Sequence, residues 1–150
     1  MRKVFVAAIV LGFLSAGAAQ AEQVTYTKDI KSVMEKQCLA CHGSDAAPEY
    51  VAFKKDQAFW MKQGKGPRMD TYSHLVFYTA WQDTGALMRR LDDGKASGSG
   101  KPGNMYQYLG ADEPERQKNL SLFKQWVGGW TLKRLPDITK EEIAAIKVTY

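Results

Sequence analysis

Two cysteines and a histidine within five residues constrain this chain more than any other feature. They stand in Cys38-Leu39-Ala40-Cys41-His42, followed by Gly43, and no other cysteine occurs in the 150 residues. The C-x-x-C-H spacing is the attachment signature of c-type haem. Its chemistry accounts for the spacing. Each thiol adds to one vinyl group, and the two vinyls lie a fixed distance apart on the porphyrin edge. Cysteines three apart on a helical turn reach both, and His42, four residues after Cys38, shares their side of the turn. Its imidazole is then placed to take the proximal position on iron. Other uses of the pair account for less. A disulfide across two intervening residues closes a loop too small to restrain the unfolded chain much. A thioredoxin-like redox pair belongs in a βαβ unit, and no such pattern surrounds it. A structural zinc site needs four ligands; the only further histidine is His74, and zinc leaves the order C-x-x-C-H unexplained.

The residues before the motif lead into it on one face. Ile30, Val33 and Met34 fall at i, i+3 and i+4, and Cys38 and Cys41 continue the stripe at i+8 and i+11. This periodicity predicts an amphipathic helix, with Thr27 or Asp29 as its N-cap. With Ile30-x-x-Val33-Met34 running into Cys38-x-x-Cys41-His42-Gly43, a downstream methionine and an aromatic-rich final helix, the chain resembles the monohaem c-type cytochromes of class I architecture. The likeness spans most of the chain, but only the haem motif is highly specific. It implies an all-α fold around one covalently attached haem c, with histidine on one axial side of the iron. One-electron transfer between a redox protein donor and an acceptor would be its function.

Residues 1–21 read as a separate segment. Arg2 and Lys3 precede an apolar run, Val4 to Leu14, interrupted only by Gly12, and Ala19-Gln20-Ala21 closes the stretch. That is the layout of a secretory signal peptide cut after Ala21. The competing possibility, an uncleaved anchor, is disfavoured because the run falls short of the roughly 20 residues that span a bilayer. The expectation is one cytochrome c domain over residues 22–150, exported to a bacterial periplasm and not inserted in the membrane. Two of the 21 basic residues lie in the leader, so the remainder sets 19 against 16 acidic residues, a formal charge of +3. Nothing suggests a nucleic-acid partner: no recognised module is present, and export removes the opportunity.

Beyond the motif the periodicities stay helical. A helix is expected over Val51 to Gln63, stopped by Gly64. Another is expected over Thr71 to Gln82, and a third apolar stripe runs through Leu87, Met88 and Leu91 to Gly94. Lys95 to Asn104 is a long Gly-rich loop, since its glycines and Pro102 disfavour helix and strand alike. Asp112-Glu113-Pro114-Glu115 opens a helix whose face carries Leu120, Phe123, Trp126, Val127 and Trp130; Gly128-Gly129 weakens or ends it. A short C-terminal extension follows, with a capping box at Thr139-x-x-Glu142 and Ile143 and Ile146 facing inward. No sustained alternation of period two occurs, which disfavours a β fold.

The sixth position on iron decides the chemistry. The candidates are Met34, Met61, Met69, Met88, Met105 and His74. Met34 belongs to the core stripe, and Met61 and Met88 sit in helical segments where methionine usually packs. Met69 and His74 remain alternatives, His74 reading more simply as a helix-surface histidine. Met105 follows Pro102-Gly103-Asn104 and precedes the last long helix, and the class I resemblance implies an axial methionine from such a loop. His/Met ligation raises the reduction potential and leaves no vacancy for a substrate. No catalytic motif accompanies the haem signature, so catalytic residues are expected to be none. The alternative is a haem sensor or peroxidase-like enzyme whose sixth ligand is absent or displaceable, an idea motivated by the glycine-rich strap. Lys54, Lys55, Lys62, Lys65, Arg68, Arg89, Arg90, Lys95 and Lys101 form a basic middle stretch, read as a solvated surface more readily than as a steering patch for an acidic partner. Trp126 and Trp130 are hypothetical hydrogen-bond donors to the haem propionates, with core packing the simpler role.

Overall fold

Thr25 starts the helical approach to the cysteines. The computed structural model describes residues 22–150, and the leader read at residues 1–21 lies outside the described residues. Thr25 is extended (φ −125°, ψ 162°) and its hydroxyl accepts from the Lys28 amide. The Asp29 carboxylate reaches back to the Thr25 amide at 2.9 Å. Thr27 and Asp29, the caps expected from sequence, thus lie inside a π-helical turn, Tyr26–Ile30. Helix α1 (Lys31–Gln37) follows, Cys38 departs from helical geometry with φ −121°, and α2 (Leu39–His42) completes the motif.

The next expected helix is two. Helices α3 (Tyr50–Lys55) and α4 (Gln57–Lys62) meet at Asp56, whose ψ of 66° breaks the ladder. Its carboxylate then accepts from the Phe59 amide and caps the second helix, a use of Asp that competes with helix continuation. Helix α5 (Tyr72–Thr79) is capped by Thr71. Helix α6 (Ala86–Leu91) starts after Gly85, whose φ of +72° suits glycine. Helix α7 (Glu113–Val127) starts at Asp112, which accepts from the Glu115 amide, and stops at Gly128 with φ +72°. Helix α8 (Lys140–Ala144) carries the capping box between Thr139 and Glu142. Among the described residues there is no strand, only one isolated bridge between Gly128 and Ile146, and no helix long and apolar enough to cross a membrane.

The core is where these stripes meet. Ile30, Val33 and Met34 pack with Leu75 and Tyr78 of α5, Leu87, Met88 and Leu91 of α6, and Leu120, Phe123, Trp126 and Val127 of α7. The C-terminal tail is stitched across this core. Lys147 and Val148 donate backbone hydrogen bonds to Val127 and Trp126, and the Thr149 carbonyl accepts from the Tyr26 amide. Ile143, expected to face inward, is 37% exposed, and Met61 is 59% exposed and packs little. Both sit on short helices whose remaining apolar neighbours do not form a covering layer.

Truncating Phe123, fully buried, to alanine should cost about 3–5 kcal/mol. Val51→Ala, at a side chain 78% exposed, should stay within about 0.5 kcal/mol. Urea unfolding of the haem-loaded protein checks both.

Candidate haem site

Backbone hydrogen bonds wind the motif into one turn. Cys38 donates to Met34 at 2.9 Å, Cys41 and His42 both donate to the Cys38 carbonyl at 3.1 and 2.9 Å, and Gly43 donates to Leu39 at 2.9 Å. The two thiols are free, Cys38 half-buried and Cys41 exposed. Burial, with the Cys41 charge second, pushes the Cys38 thiol up to about 11. A redox-active or metal-binding cysteine needs the opposite shift, toward thiolate. Among the described residues no three His, Cys, Asp or Glu side chains gather to hold a metal ion, so the zinc alternative has no ligand set here.

His42 is held from behind. Its Nδ1 lies 2.7 Å from the Pro67 carbonyl. A carbonyl only accepts, so Nδ1 carries a proton, and Nε2 is the ring nitrogen left to face a metal. The backing loop lies close against the ring: a Cβ on Gly66 would stand 2.5 Å from His42 Cε1. Two further hydrogen bonds fix the loop, Met69 N to His42 O at 2.8 Å and Arg68 N to Pro48 O at 2.9 Å. Met69 is therefore anchored on the side of His42 itself.

His74 is spoken for by acids. Its Nδ1 lies 3.1 Å from Asp70 and its Nε2 3.3 Å from Glu49. Arg68 bridges the same two carboxylates, at 2.7 Å to Asp70 and 2.5 Å to Glu49. The Arg68 hydrogen bond holds the Asp70 carboxyl below its ordinary range. Both imidazole nitrogens of His74 thus face carboxylate oxygens and not an open cavity.

Met105 occupies a different place. It is half-buried and packs on the core, and its amide donates to the Arg90 carbonyl at 3.0 Å. Gly103 donates to Asp92 O at 2.8 Å, and a Cβ on Gly103 would come within 2.3 Å of Arg90 O. The Arg90 guanidinium also donates to the Asn104 side chain at 3.0 Å. The end of the Gly-rich loop is therefore seated on the C-terminal end of α6.

These residues fit a haem. Two thiols and an imidazole share one turn, and Met105 adds a thioether on a separate seated loop; these are groups that could hold a haem. A fifth group was missed from sequence. Tyr78 is buried, and among the described residues its hydroxyl has no partner, as is also true of Asp92 Oδ1. Desolvation raises the Tyr78 phenol, keeping it an O–H donor that lacks an acceptor; a haem propionate is one. Tyr78 lies in the apolar stripe of α5, and no sequence signal sets its hydroxyl apart. Trp126 does not fill the donor role considered for it: its indole N–H donates to Thr149 O at 2.7 Å. Trp130 lies beneath the Lys124 ammonium, 4.5 Å from the ring centre. Of the basic stretch, Lys54, Lys55, Lys62 and Lys65 are exposed, whereas Arg89 is turned inward onto the Thr84 and Lys133 carbonyls.

Gly66→Ala should push the imidazole off Pro67, make it a poorer electron donor and raise the reduction potential. A rise of roughly tens of millivolts is expected, where 59 mV is a factor of ten in a one-electron equilibrium. Potentiometric titration of the variant checks the sign and size.

Comparison with known proteins follows the same lines. The family model described as PccH cytochrome c matches residues 25–150. The solved structure of the monohaem cytochrome PccH from Geobacter sulfurreducens is 65% identical, with a TM-score of 0.79, covering 86% of this chain and all of that one. No curated protein matches the chain. The fold is all-helical and cytochrome c-like, the cofactor is one covalent haem c, and the chain belongs to the PccH family of monohaem c-type cytochromes.

Proposed function

We propose that this chain is an exported, periplasmic electron carrier, cut after Ala21, whose domain of residues 22–150 holds one haem through Cys38 and Cys41. His42 is the proximal iron ligand and Met105 the distal one. When bound, the haem supplies a one-electron couple, and full axial coordination leaves no site for substrate. The protein's part is positional. The Pro67 carbonyl would hold the His42 ring with Nε2 free for the iron, and the Met105 thioether would be the second protein ligand to it. Tyr78 would donate its buried hydroxyl to a propionate.

One observation carries the choice of carrier over enzyme: Met105 sits on a fastened turn, with its own amide on Arg90 at 3.0 Å. His74, a rival for the sixth position, is engaged between Asp70 and Glu49, and the backbone of Met69, the other rival, is tied to His42 itself, in the loop that backs the imidazole. A displaceable ligand was suggested by the Gly-rich strap, yet the strap is pinned again before Met105 is reached. Family membership agrees, since cytochromes c are generally electron carriers and not enzymes. The partners are a redox donor and acceptor meeting an exposed face.

In the ferric protein the weak methionine-to-iron charge-transfer band at the red end of the spectrum should be present. Met105→Ala should abolish it and open the ferrous iron to carbon monoxide. Survival of the band in that variant rejects Met105 as the ligand.

A further inference from the structure

We propose, building on the assignment of Met105 to the iron, that Tyr106, Glu113 and Gln117 form a polar clamp, backed by Asp93, that holds Met105 at the metal. These positioning residues set how readily the sixth position opens.

The clamp starts next to the ligand. Met105 is the N-cap of a short 3-10 turn, Tyr106–Tyr108. Tyr106 donates its amide to Gly103 at 3.0 Å, and Tyr108 donates to Met105 at 3.0 Å. The Tyr106 ring is buried in the core, but its hydroxyl emerges at the N-terminal end of α7 and donates to Glu113 Oε1 at 2.5 Å. The side-chain amide of Gln117, one turn on, lies 2.7 Å from the same hydroxyl, 3.0 Å from Glu113 Oε1 and 3.1 Å from Asp93 Oδ2. Four side chains from three places meet here: the loop after α6, the ligand turn, and the first turns of α7. Arg116 takes the other oxygen of Glu113 at 3.1 Å. Hydrogen bonds from Tyr106, Gln117 and Arg116 hold the Glu113 carboxyl down at about 2, so the acceptor stays ionised at neutral pH and the bonds to it are charge-assisted.

The helix does not need this arrangement for itself. Asp112 already caps α7 through the Glu115 amide, and the Ala111 amide is taken by Glu115 at 2.7 Å. What the clamp adds is a side-chain tie on the residue that follows Met105. A methionine side chain has three soft torsions and no charge, so it does not fix its own position. The backbone beneath it must do so. Upstream, the turn is held through backbone bonds to Arg90 and Asp92; downstream, the clamp and the Asn119 bond to Leu109 O at 2.6 Å complete the seat. Release of the clamp frees one end, and local opening there lets the thioether leave without unfolding the domain.

The test uses the haem-loaded protein. Tyr106→Phe keeps the ring and removes the hydroxyl; Gln117→Leu removes the amide that joins all three partners. Carbon monoxide binding to the ferrous form, the charge-transfer band on warming, and the potential are read beside urea unfolding. Each variant should bind carbon monoxide roughly tenfold faster than the parent. Its band should fade at a lower temperature and its potential should fall, since loss of methionine favours the ferric state. Glu113→Gln, which keeps an acceptor, should show a smaller change. If Met105→Ala abolishes the band while Tyr106→Phe and Gln117→Leu bind carbon monoxide at the parental rate, the clamp is rejected and the ligand assignment stands. If Met105→Ala leaves the band, the ligand assignment itself fails and the clamp fails with it. Lower urea stability with an unmoved carbon monoxide rate also overturns the proposal, because it marks a role in folding alone.

Discussion

A single hydrogen bond, from His42 Nδ1 to the Pro67 carbonyl at 2.7 Å, fixes what the cysteine motif can do. Without it the imidazole could turn, or carry its proton on either nitrogen. With it the ring is oriented, with Nδ1 engaged and Nε2 left as the nitrogen that can face a metal. The bond depends on a loop that can lie flat against the ring, which is why Gly66 has no room for a Cβ. It also depends on the amides of Arg68 and Met69, which tie that loop to Pro48 and to His42 itself. A motif of five residues therefore requires a partner segment some 25 residues downstream to become a ligand set.

The distal half is built on another principle. There the neighbouring helices hold the end of the Gly-rich loop from both sides. The C-terminal end of α6 holds Gly103 and Met105 by backbone bonds, and the start of α7 holds Tyr106 through side chains. Helix α7 is common to everything. Its apolar face, Leu120, Phe123, Trp126 and Val127, fills the core, its first turns reach the ligand turn, and its last carbonyls pair with the chain terminus. The seats of His42 and Met105 are thus built from different chain segments.

Local chemistry was legible in the sequence. The C-x-x-C-H turn, the stripe of Ile30, Val33 and Met34, the Asp112 cap and the Thr139 capping box all depend on residues within a few positions of one another. Errors began where two local options competed. Thr25 caps the first helix in place of Thr27 or Asp29 because Asp29 reaches back to its amide, and Asp56 prefers capping α4 to continuing α3. Features made by distant chain segments left no trace. The Trp126 indole is used by Thr149, His74 is enclosed by Asp70 and Glu49, and Gln117 meets Tyr106 and Asp93. Each of these side chains reads as ordinary until the fold brings its partner alongside.

We propose that His42 offers Nε2 to iron because Pro67 holds its Nδ1 proton. With only two histidines in the chain, nitrogen-edited NMR of the ferrous haem-loaded protein, labelled at histidine, addresses it directly. The expected spectrum has one His42 ring proton, on Nδ1 and slow to exchange with water. A ring proton on Nε2, or an Nδ1 proton that exchanges rapidly with water, would contradict it.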